Sequence, residues 1–184
     1  MFFSDTVFAI AITLLALEIR VPDDPTDLSQ SLLALWPKFF SFFISFWFVG
    51  TYWVAHHRVF HHIKGYDRRL LFVNLLFLMW IVLLPFSSSL LGEHGDQRIV
   101  VIVYAAHIAL AGLTLHWVWR YASRDDRLMD ASQSEERERR YNGLGLTVPI
   151  VFLLSIGVSF VSVTAAECFW FLAFLIRPAL HRFL

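Results

Sequence analysis

Histidines and a short run of hydroxyl and carboxyl side chains are the groups in this sequence best able to do chemistry. His56, His57, His61 and His62 crowd together, and His57 and His61 have the one-turn spacing that can hold a metal ion from one helical face. The plainer reading is a polar cluster at a helix end, where a partly protonated imidazole suits the C-terminal dipole. His107 and His116 stand nine residues apart in an apolar stretch, a pattern that raises bis-histidine haem ligation and electron transfer. They fall on roughly opposite sides of a helix, however, and no other apolar segment offers a histidine at matching depth. Interhelical hydrogen bonding accounts for them better, and neither a metal nor a cofactor is assigned.

Near the start, Ser4 and Asp5 are placed to act at a helix N-terminus, as acceptors for free backbone N–H groups and as a charge complementing the dipole. Beyond them, Thr6, Ile10, Thr13 and Leu17 recur at spacings of four, three and four, which puts them on one face of a helix. Polar and apolar groups thus alternate along a single stripe. A threonine on such a stripe can face lipid, because its hydroxyl bonds back to the preceding turn, or it can face a polar path. Asn74 sits in an apolar run, where an amide requires an interhelical partner.

The elements that must position these groups are membrane helices. The chain of 184 residues is 58% hydrophobic and 17% aromatic, with only 16% charged residues, and its mean hydropathy is +0.61. A soluble domain would leave large apolar surfaces uncovered at this composition. The formal net charge of zero removes any argument for nucleic-acid binding. With a hydrocarbon core of about 30 Å requiring about 20 helical residues, six spans are expected. They run from about Phe3 to Ile19, Leu33 to Ala55, Leu70 to Leu91, Ile99 to Trp119, Leu144 to Val163, and Ala165 to Ile176. A tight hairpin at Thr164 to Glu167 would make the last two antiparallel neighbours. The fold class is therefore all-α, a single transmembrane domain over residues 1–184. The first apolar run has no basic segment before it and no small-residue cleavage site after it, so it reads as a mature helix rather than a leader.

Between spans lie stretches that a bilayer excludes, the longest being Arg120 to Asn142, within which the mixed-charge run Arg124 to Arg140 has interleaved signs that suit a solvated helix. Placing both termini in the cytoplasm leaves only Arg20, Lys38 and Arg98 outside and the other twelve Lys and Arg inside. That satisfies the positive-inside rule for a multi-pass protein of the cell membrane. Pro85 should bend the third span, with Ser87, Ser88 and Ser89 available to satisfy freed backbone groups.

Phe3-Ser4-Asp5, followed by Val7-Phe8-Ala9-Ile10 and Thr13-Leu14-Leu15, resembles the signature of the transmembrane-protein-175 family of potassium channels. The stretch Tyr52-Trp53-Val54-Ala55-His56-His57-Arg58, then Asn74-Leu75-Leu76-Phe77 and Leu83-Leu84-Pro85-Phe86, is similar to the second and third helices of bacterial members. The first half of the chain carries the match, and the second half agrees in hydropathy and span count. Bacterial members usually carry an arginine a few residues before the Phe-Ser-Asp motif, a position this sequence does not include.

The resemblance implies a homotetramer in which the first helix of each subunit lines a central pore for potassium ions. Thr6, Ile10, Thr13 and Leu17 would be the pore-lining residues, with Ile10 at the apolar constriction. No Thr-Val-Gly-Tyr-Gly filter occurs in the chain. Apolar rings would gate by dewetting, and a Thr13 hydroxyl ring would replace part of the ion's hydration shell. A structural network at the base of the pore helix would join Phe3, Ser4, Asp5, His56 or His57 and Asn74, with Asp67 a further candidate. No enzymatic activity is expected. An ion-coupled secondary transporter is the alternative, but it would need an ionisable residue at the bilayer midplane, whereas Asp5, Glu18 and Glu167 all fall near span ends.

Overall fold

The computed structural model describes residues 2–21, 28–124, 128 and 145–174. Seven helices lie among them: α1 (Phe2–Leu17), α2 (Leu28–Ala34), α3 (Trp36–His61), α4 (Arg68–His94), α5 (Arg98–Ser123), α6 (Thr147–Ser159) and α7 (Val163–Trp170). Three of them, α3, α4 and α5, are long and apolar enough to cross a membrane, while α1, α6 and the α7 segment are shorter apolar helices.

Each expected span has a helical counterpart, with shifted ends. The second span does not begin at Leu33: α2 closes at Ala34, and α3 starts at Trp36 with Pro37 in its first turn, where a missing N–H costs nothing. That helix also runs past Ala55 through the histidine cluster to His61. The hairpin expected at Thr164 to Glu167 lies instead at residues 160–162. Ser162 is extended and its hydroxyl accepts from the Ala165 N–H, so Thr164 and Glu167 fall inside α7. Ser4 and Asp5 do not cap α1 from outside, because the helix already begins at Phe2. Most of the charged segment before α6, and the end of the sixth expected span, lie outside the described residues.

In hydrocarbon there is no hydrophobic drive between helices, so close packing of small residues and interhelical hydrogen bonds must hold them. The central helix α5 shows both. Ala105, Ala109 and Ala111 have no exposed surface, and Tyr104 is equally enclosed. The Tyr104 hydroxyl lies 2.9 Å from Ser45 Oγ of α3, and Ser45 donates to Ser88 Oγ of α4 at 2.9 Å. Ser88 in turn donates to the Ser41 carbonyl. Tyr52 Oη donates to the Ile108 carbonyl at 2.6 Å, and Trp170 Nε1 donates to Ser155 Oγ at 2.8 Å, joining α7 to α6. At the α5 start, Arg98 Nε donates to the Ser159 carbonyl and its guanidinium lies over the Phe160 ring, which satisfies the end of α6.

Gly112 marks the tightest approach on α5. A Cβ there would stand 2.6 Å from a Pro149 ring carbon of α6 and 2.8 Å from the Tyr52 hydroxyl. Neither neighbour is the loose end of a flexible side chain. Gly112→Ala should therefore destabilise the fold by about 1–3 kcal/mol through overpacking, seen as a lower thermal midpoint of the purified protein in detergent.

Candidate functional site

The site is built around α1, which packs against α3 and α4. Its buried residues are Ser4, Phe8, Ala11 and Leu15, a stripe at spacings of four, three and four. Thr6, Ile10, Thr13 and Leu17 occupy the opposite side of the same helix, and all four are exposed in the subunit. Ile10 is 53% and Leu17 70% exposed. Thr6 Oγ1 donates to the Phe2 carbonyl at 2.9 Å and Thr13 Oγ1 to the Ile10 carbonyl at 2.8 Å. With each hydroxyl hydrogen directed at its own backbone, the oxygen lone pairs are what the stripe presents outward.

At the N-terminal end of α1, polar side chains from three helices meet. His56 on α3 and Asn74 on α4 are 2.9 Å apart through Nε2 and Oδ1, so with the amide oxygen as acceptor the ring hydrogen resides on Nε2. Asn74 Nδ2 then donates to Ser4 Oγ at 3.4 Å. The imidazole is 1% exposed and stacks between Phe60 and Phe77 at centroid distances of 4.3 and 5.5 Å. Its Nδ1 has no hydrogen-bond partner among the described residues. Beside this buried chain runs a more exposed one. Trp53 Nε1 donates to Asp5 Oδ1 at 3.1 Å, and His57 Nδ1 stands 3.6 Å from the same oxygen, within ion-pair range when the ring is protonated.

Of the residues expected at the base of α1, the structure brings together Ser4, Asp5, His56, His57 and Asn74. Phe3 is 65% exposed and stands apart from the network. Asp67 belongs elsewhere: one carboxylate oxygen caps α4 by accepting from the Leu70 N–H at 2.7 Å, and the other accepts from the Tyr121 hydroxyl at 2.5 Å. A cap at the start of a helix satisfies a free N–H, so Asp67 serves the contact between α4 and α5. Trp53 was the missed member. Its place four residues before His57 puts both on one face, and that spacing was the signal available.

Among the described residues, no group of three or more His, Cys, Asp or Glu side chains could hold a metal ion. His107 directs Nε2 at the Trp80 carbonyl, 2.7 Å away, as an interhelical donor.

A protein from Chamaesiphon minutus named a potassium channel is 36% identical over 181 residues, covering 91% of this chain and 87% of that one. The family model described as "Endosomal/lysosomal potassium channel TMEM175" matches residues 1–85, a range that holds α1, α3 and every residue of the polar network. The chain belongs to the TMEM175 family. A potassium channel from Streptomyces collinus is 34% identical, covering 87% of this chain and 81% of its own. The crystal structure of a lysosomal potassium-selective channel TMEM175 homolog from Chamaesiphon minutus matches with a TM-score of 0.79 at 30% identity, over 97% of this chain and 93% of that one. Phe3-Ser4-Asp5 lies within the matched range, and its second and third residues bind α4 and α3.

Asn74 is the link on which the buried chain depends. Asn74→Leu removes the partner of both His56 and Ser4 and should cost about 1–3 kcal/mol for each polar group left unpaired. Because the groups act together, Asn74→Leu combined with Ser4→Ala should cost less than the two separate losses. A double-mutant cycle on thermal stability checks this, and full additivity would show the contacts to be independent.

Proposed function

We propose that this chain is a potassium-permeable cation channel in which four subunits surround a pore lined by α1. One observation carries the reading. Thr6, Ile10, Thr13 and Leu17 lie on the side of α1 opposite to the one that packs, so a helix held firmly by its own subunit leaves this stripe for something else. Relatives of similar length are named potassium channels, and a channel needs no catalytic groups. In the tetramer, Ile10 and Leu17 form apolar rings that close the path by dewetting. The Thr13 ring offers oxygen lone pairs that replace part of the shell of a hydrated cation. Selectivity is modest, since one hydroxyl ring supplies fewer ligands than a stack of carbonyl cages.

The protein sits in the cell membrane with both termini cytoplasmic, the arrangement that places twelve of its fifteen Lys and Arg inside. The base of α1, with Ser4, Asp5, His56, His57 and Asn74, then faces the cytoplasm. A coupled transporter is less well supported: among the described residues the buried polar side chains are Ser, Thr, Asn and His, with no carboxylate, Lys or Arg. A transporter normally carries its coupling ion on such a residue near the midplane.

Potassium flux into liposomes containing the purified protein tests the reading. Native protein should pass potassium down its gradient without a coupled ion. Ile10→Asn, which wets the constriction, should raise the flux several-fold, and Thr13→Ala should reduce discrimination between potassium and sodium. An absence of uncoupled flux, with both variants silent, would remove the channel assignment in favour of the transporter.

A further inference from the structure

A pore stripe works only if its helix is held at one rotation. The polar network fixes the N-terminal end of α1, and a second contact stands at the other end. Glu18, just past Leu17, reaches α4, where Ser89 Oγ donates to Glu18 Oε2 at 2.7 Å. The contact lies in a small crevice between α1, α3 and α4, lined also by Lys38, Ser41, Ser88 and Glu93. Those neighbours have partners of their own. Lys38 Nζ is 3.3 Å from Glu93 Oε1, Ser41 Oγ donates to the Lys38 carbonyl, and Ser88 Oγ donates to the Ser41 carbonyl.

The two ends of α1 are matched in length to α4. Fourteen residues separate Ser4 from Glu18 and fifteen separate Asn74 from Ser89, about 21 and 22 Å at about 1.5 Å per residue. The contacts Ser4 to Asn74 and Glu18 to Ser89 are therefore rungs between parallel helices. Between the rungs the buried face of α1 is Phe8, Ala11 and Leu15, and apolar packing in lipid resists rotation weakly compared with a hydrogen bond in a fixed direction. Leu17 directly precedes Glu18, about 100° around the helix. Turning Glu18 onto α4 turns Leu17 away from it.

The geometry points to Glu18 and Ser89 as positioning residues that set the rotation of the far end of α1 and hold Leu17 on the ion path, a role that rests on the pore reading above. The carboxylate acts as a hydrogen-bond acceptor at a fixed place. Pro85 lies on α4 between the two rungs, so a change in bend there shifts one rung against the other and is passed to α1.

The test uses the full chain in liposomes, reading potassium over sodium permeability together with the rate at which a water-soluble thiol reagent modifies Leu17→Cys. The labelling is done in a Cys168→Ala background, since Cys168 is itself exposed. Ser89→Ala should change both readouts several-fold, and Glu18→Ala should do the same with no further loss in the double variant. Glu18→Gln keeps an oxygen that can accept from Ser89 and should restore native behaviour in both. Native labelling and selectivity in a well-folded Ser89→Ala protein would overturn the proposal, as would a Glu18→Gln variant as damaged as Glu18→Ala. Leu17→Asn is measured alongside: native flux in that variant would overturn the pore reading itself, an outcome separate from failure of the clamp.

Discussion

A side-chain amide inside a bilayer must find partners within the protein, and Asn74 finds two on different helices. Asn74 is only 7% exposed, so leaving its amide unsatisfied would cost about 1–3 kcal/mol. Its oxygen engages His56 of α3 and its nitrogen engages Ser4 of α1. One residue of α4 thereby fixes the height of both neighbours. Everything proposed for α1 depends on this, because a helix free to slide would not present a constant set of side chains to a central path.

His56 is held more by its surroundings than by its charge. His56 lies between Phe60 and Phe77, with Phe8 of α1 5.7 Å away. An imidazole in such an apolar slot is a directional donor. Its neighbour His57 points the other way, toward the exposed Asp5 carboxylate that also takes the Trp53 indole. Adjacent histidines thus serve a buried and an exposed chain, because successive helical residues are turned by about 100°. Asp5, in the first turn of α1, also suits the positive end of that helix.

The rest of the subunit reads as the support that makes this arrangement rigid. Serine and tyrosine hydroxyls tie α3, α4 and α5 together, and Gly112 lets α6 and Tyr52 approach the backbone of α5. These contacts lie away from the outward face of α1. They hold the helices on which its anchors stand, so their influence on that face is through α3 and α4.

Much of the chemistry was legible in one dimension. Composition and run length imply a helical membrane protein, since about 20 apolar residues have few other uses. The spacing of Thr6, Ile10, Thr13 and Leu17 already put them on one stripe, and the amide of Asn74 already demanded a partner. Helix ends were read less well, because α3 carries His56 to His61 as part of its last turns and α7, capped by Ser162, already contains Thr164. Asp67 looked like a further network member, and Trp53 stood only as part of the Tyr52 to Arg58 stretch. Only the tertiary structure could exchange their roles, because Asp67 faces Tyr121 and Trp53 faces Asp5 across gaps of 54 and 48 residues. Periodicity determines which face of a helix a residue occupies. Which neighbour that face meets is decided by how the helices pack, and no local pattern encodes that.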